Sequence, residues 1–159
     1  MFVNNSYGGT CVYGGTQPTS SSSRLVKLLF NKHYADVTMI YMGSNDCAAS
    51  VKYPETYNTT TFGNAYRSMI KTIQGLCPNT EIILFTLAHS NSFSYEVQES
   101  FNTVIRNLAQ EFNLELVELR DLDLTKDYGQ KVLVDSGHPM NYGNYLIFKE
   151  VYSKLIELK

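Results

Sequence analysis

Asp36-Val37-Thr38-Met39-Ile40-Tyr41-Met42-Gly43-Ser44-Asn45-Asp46 is the stretch on which the fold turns. After Asp36 its next six residues, Val37 to Met42, are β-branched or apolar on both faces, which reads as a strand buried in a parallel sheet. The strand stops at Gly43. In open α/β sheets ligands bind just beyond the carboxyl ends of the strands, so Asn45 falls where chemistry is done. Its side-chain amide is a neutral donor, suited to negative charge developing on a carbonyl oxygen. An Asx-type turn that only ends the strand would use the same two residues, Asn45 and Asp46.

Toward the C-terminus, Val51 to Thr61 is polar, with Pro54 between Tyr53 and Tyr57, and reads as a loop that could wall a site. Phe62, Ala65, Tyr66, Met69, Ile70, Ile73 and Leu76 follow helical spacing and stop before Pro78. Glu81 to Thr86 is a second buried strand, which puts His89 beyond another carboxyl end as a candidate substrate contact; a hydrogen-bonded structural histidine fits the same position. Phe101, Val104, Ile105, Leu108 and Phe112 mark an amphipathic helix, and Leu114 to Leu119 a strand partly open to solvent, nearer a sheet edge. Asn141 caps a last helix whose core face carries Phe148, Val151, Tyr152 and Leu155. Toward the N-terminus, Ser20 to Ser23 cap a helix with Leu25, Val26, Leu28, Leu29 and Phe30 on its apolar side. Gly8-Gly9 and Gly14-Gly15 make a turn-rich segment, and Phe2-Val3-Asn4 could end a strand. Strand and helix alternate throughout, which predicts one domain over residues 1–159: a three-layer α/β/α sandwich on a flavodoxin-like parallel sheet.

The second informative stretch is Asp135-Ser136-Gly137-His138-Pro139. An Asp three residues before a His lets its carboxylate accept from one imidazole nitrogen and leaves the other free as a general base. Pro139 restricts the His138 backbone to extended conformations. Glycine and proline also punctuate ordinary turns, so the pentapeptide does not decide by itself.

Together the two stretches resemble the SGNH (GDSL-type) hydrolases, which carry a Gly-x-Asn-Asp block after a central strand and an Asp-x-x-His-Pro block before the last helix. A third block, Asn5-Ser6-Tyr7-Gly8-Gly9-Thr10, is similar to the segment whose glycine lends a backbone N–H to the oxyanion hole. The three blocks span nearly the whole chain in the right order. The resemblance implies ester hydrolysis through a serine acyl-enzyme, with His138 as base, Asp135 orienting it, and Asn45 with Gly9 binding the oxyanion. Ser44, inside a block, is a candidate substrate contact. The implied substrate is a small-molecule or carbohydrate-linked ester, and no cofactor is expected. The family's nucleophile sits in a Gly-Asp-Ser segment after the first strand. The 159 residues contain no such tripeptide. The expectation is therefore a chain that begins after its own first strand, with unpaired edges and exposed apolar area met by homo-oligomer contacts or by more protein. A noncatalytic binding module on the same scaffold is the alternative.

Composition narrows the field further. A net charge of -2 with mixed signs offers no basic patch for nucleic acid. No apolar run reaches the length of a membrane span, and the first residues lack the basic start and apolar stretch of a secretory signal. Cys11, Cys47 and Cys77 are widely spaced and odd in number, matching neither a disulfide framework nor a zinc ligand set, so no metal is expected. Cys47 lies beside Asn45-Asp46 and reads as a small packing residue, with a nucleophilic role as the alternative.

Overall fold

A computed structural model describes residues 9–14 and 35–157. The expected N-terminal strand end, the Ser20 to Phe30 helix, Ser6 and His33 lie outside the described residues. In order, the elements are β1 (Val37–Ile40), α1 (Ser44–Lys52), α2 (Thr59–Leu76), β2 (Glu81–Phe85), α3 (Tyr95–Phe112), β3 (Glu115–Val117) and α4 (Asn141–Glu157). The strands form one sheet in the order β1-β2-β3. β2 and β3 run parallel, pairing Ile83 with Glu115, Leu84 with Leu116 and Phe85 with Val117. This is the α/β class that the alternation predicts.

The chain divides into two compact units, one of residues 1–38 and 42–82, the other of residues 39–41 and 83–159. In the first, α2 starts at Asn58, whose side chain accepts the N–H groups of Thr60 and Thr61 while Thr61 returns a bond to the Asn58 N–H. Three otherwise orphaned donors are satisfied in this way. Phe62, Tyr66, Met69, Ile70 and Ile73 then fall on one buried stripe. The helix α1 is a departure from the sequence reading, in which nothing marks 44–52 as helical. Gly43 at its start gives no side-chain cap, and Cys47, Ala48, Ala49 and Val51 make too weak an apolar stripe to show. The expected loop over 51–61 shrinks to the six residues 53–58.

In the second unit, Ile83, Phe85, Ala88, Val117, Leu119, Leu124, Val132 and Leu146 form one buried cluster, so β2, β3 and α4 share a core. Leu84, one residue out of phase, faces the opposite side of the sheet. On α3, Phe101, Ile105 and Leu108 are buried. There Asn102 fastens the helix to the chain after β2 by donating to Leu87 O (3.1 Å) and accepting from Leu87 N (2.7 Å).

Two expectations are corrected. β1 is not buried on both faces: Val37, Met39 and Tyr41 are 38%, 42% and 44% exposed, whereas Ile40 is buried. β1 ends the strand order, with β2 as its neighbour on one side among the described residues. On α4 the core face is Leu146, Ile147, Val151 and Leu155 with Tyr142. Phe148 and Tyr152 are exposed and stack on each other, with ring centroids 5.6 Å apart. The rotation of α4 is set by Gly143: a Cβ there would stand 2.6 Å from Val132 O and 2.9 Å from Pro139 Cβ. Nothing larger than hydrogen fits. Gly143→Ala should therefore overpack this contact and lower stability by about 1–3 kcal/mol, read as a drop in the urea midpoint at unchanged slope.

Candidate active site

Residues 132–140 fold back on themselves, which shapes the loop that carries Asp135 and His138. Val134 N–H donates to His138 O (2.8 Å) and Met140 N–H to Val132 O (2.7 Å), with Leu133 and Pro139 bridged antiparallel. At the tip, Asp135 Oδ1 accepts the backbone N–H groups of Gly137 and His138, both at 2.9 Å. Its two oxygens also lie 3.0 and 2.9 Å from His138 Nδ1. An ionised carboxylate has no proton to give, so Nδ1 carries the hydrogen and Nε2 keeps its lone pair. Both side chains are exposed. The Asp135 carboxyl is pulled down to about 2, first by the Gly137 N–H, then by the His138 N–H and the imidazole. The loop also leans on residues 90–92: a Cβ on Gly137 would meet Ser92 Oγ at 2.0 Å and Ser92 Cβ at 3.2 Å. Ser92 Oγ donates to Ser136 Oγ at 3.5 Å.

In the first unit, Asn45 and Asp46 open α1 and reach back together to the segment 9–14. Asn45 Nδ2 donates to Thr10 O (3.1 Å), and its second amide hydrogen remains for another acceptor. Asp46 accepts Val12 N–H and Tyr13 N–H, each at 2.9 Å, one on each oxygen. Gly9, next to Thr10, has φ +74°, a conformation that favours glycine. Asn45 and the Gly9 segment are thus brought together. Asp46 is buried, and that burial pushes its carboxyl up to about 6, against the pull of its backbone bonds. Its role escaped the sequence reading, because its partners are 34 and 33 residues away and no local pattern announces them.

The other candidates are placed as follows. Ser44 is exposed at the first position of α1. His89 Nδ1 lies 3.4 Å from Gln98 Oε1, the ring is edge-on to Tyr95, and the backbone bonds Leu122 O and Leu124 N–H. Cys47 is fully buried, and burial with the neighbouring Asp46 pushes its thiol far up, which suits packing and not attack. Tyr57 packs edge-on against Tyr13, ring centroids 5.3 Å apart, while Tyr53 is exposed. Among the described residues no group of three or more His, Cys, Asp or Glu could hold a metal ion, and no helix is long and apolar enough to cross a membrane.

Residues 1–155 match the family model for GDSL-like lipase/acylhydrolase proteins. The chain belongs to that family. Three solved structures show the same fold. An acetyl xylan esterase is 19% identical at TM-score 0.69, with 93% of this chain and 77% of that one covered. A carbohydrate esterase family 3 protein from Talaromyces cellulolyticus is 17% identical at TM-score 0.64, with coverage of 85% and 63%. The lipase/acylhydrolase from Enterococcus faecalis is 20% identical at TM-score 0.62, with coverage of 83% and 68%. No curated protein sequence matches the chain.

The order of causes on Asp135 makes a test. Its depressed pKa means that stability linked to this group is present above the ordinary carboxylate range and lost as pH falls through about 2. Because backbone N–H groups lead, His138→Ala should leave the Asp135 carboxyl well below 3.8. The 13C titration of its Cγ would show this, and a return to 3.8 would make the imidazole the dominant partner instead.

Proposed function

We propose that this protein is a serine ester hydrolase, with His138 as general base, Asp135 as the residue that orients it, and Asn45 with the Gly9 N–H as oxyanion donors. The observation that carries the reading is the Asp135–His138 pair. Its imidazole is fixed through Nδ1, with Nε2 left free to take a hydroxyl proton. A serine Oγ attacks the ester carbonyl as its proton passes to Nε2. Charge collects on the carbonyl oxygen, where two neutral N–H donors stabilise it. His138 then returns the proton to the leaving alcohol, and water repeats the sequence to release the acid.

Family membership supports hydrolysis. The names of the structural neighbours, an acetyl xylan esterase and a carbohydrate esterase, favour small acyl groups on sugars as the first substrates to try. The described serines within the family-like blocks, Ser44 and Ser136, are poor candidates for the nucleophile on this reading. Ser44 sits beside the proposed oxyanion donor, and Ser136 is within the base's own loop with its hydroxyl on Ser92.

Residues 1–159 alone are therefore expected to hydrolyse p-nitrophenyl acetate weakly or not at all. A serine-directed phosphonate should leave the chain unlabelled by mass spectrometry. Stoichiometric labelling of one serine, abolished by His138→Ala, would show a nucleophile within these residues. In any form of the protein with measurable ester turnover, Asn45→Ala should lower kcat by about 10²–10³ with KM little changed. An unchanged kcat would remove Asn45 from the reaction.

A further inference from the structure

We propose that Asp46 is the positioning residue of the oxyanion site: its buried carboxylate, through the Val12 and Tyr13 N–H groups, holds residues 9–14 against Asn45. The inference rests on the oxyanion reading of Asn45 and Gly9. Asn45 itself contributes one amide bond to the segment, to Thr10 O. Asp46 adds two bonds on consecutive residues at 2.9 Å from separate oxygens, so Thr10, Val12 and Tyr13 are all bonded to the start of α1. Bonds from N–H donors to an ionised acceptor are about twice as strong as neutral ones. Asn45 and Asp46 are neighbours at the start of one helix, so the donor and its aligner move as one piece.

Protonation tests this directly. The titratable groups coupled to Asp46 are Cys11, Cys47, Tyr57 and Tyr66. Burial is the leading cause that raises each of them: Cys11 goes to about 11, and the others move upward from already high values. All four stay neutral across the weakly acidic range, which leaves Asp46 as the titrating member of the cluster. Its folded pKa of about 6 stands above the ordinary 3.8, so its contribution to global stability falls as pH rises through that window. The local hold on residues 12 and 13 runs the other way, because a protonated carboxyl keeps one good acceptor oxygen and an ionised one keeps two. A residue that only stabilised the fold would move both together.

The experiment uses 15N-labelled protein, with acetate as a carboxylate probe for oxyanion donors between pH 5.5 and 8. The Val12 and Tyr13 amides should shift together with a midpoint near 6, and acetate should perturb the Gly9 amide and the Asn45 side-chain amide. Asp46→Asn should speed exchange at Val12 and Tyr13 and weaken acetate by about tenfold, the equivalent of one lost bond to a charged partner. Undiminished acetate binding in Asp46→Asn would overturn the proposal and leave the oxyanion reading standing. No acetate response at Gly9 and Asn45 in the unmodified protein would remove the oxyanion reading and this proposal with it. If Asp46→Asn does not fold, the unmodified protein decides: acetate affinity must weaken below the midpoint beyond the protonation of acetate itself, and constancy would overturn the idea.

Discussion

A carboxylate that accepts consecutive backbone N–H groups is the interaction on which the local geometry of each unit's candidate residues depends. Asp135 does this at the tip of a folded-back loop and Asp46 at the start of α1, each taking two consecutive donors. The consequences for ionisation are opposite. Asp135 is exposed, so little desolvation opposes the donors and its carboxyl sits near 2. Asp46 is buried, and the loss of water outweighs the same two bonds. One shapes the loop that carries His138, and the other shapes the segment facing Asn45.

The parts of the fold legible in the sequence are those governed by local pattern. The stripe from Phe62 to Ile73 and the α3 helix follow from periodicity and are present, and a strand, Val37–Ile40, lies within the β-branched run before Gly43. The Asp135 to His138 geometry was legible because both partners lie within four residues. What could not be read depends on distant partners. Asp46 shows no sign of its burial until residues 12 and 13 arrive. The short helix α1 has neither cap nor strong stripe. Phe148 and Tyr152 share the helical spacing of a core face, yet the contact at Gly143 turns Leu146 and Val151 inward instead.

Family membership and geometry bear on different questions. The match over residues 1–155 places the chain among GDSL-like lipases and acylhydrolases. It says little about which alcohol or acyl group is handled, and neighbours at 17–20% identity share the fold alone. The described side chains say more about how charge is managed: one imidazole oriented by an ionised partner, and one amide held beside a glycine of positive φ. A Gly-Asp-Ser tripeptide is not among the 159 residues.

The bare hydrogen of Gly143 against Val132 O has a mechanical meaning for the loop that carries His138. A methyl at position 143 would run into both ends of the fold-back, Val132 O and Pro139 Cβ, so α4 lies as near the loop as a backbone without a side chain allows. One missing carbon thus sets the gap between the last helix and the loop that carries His138.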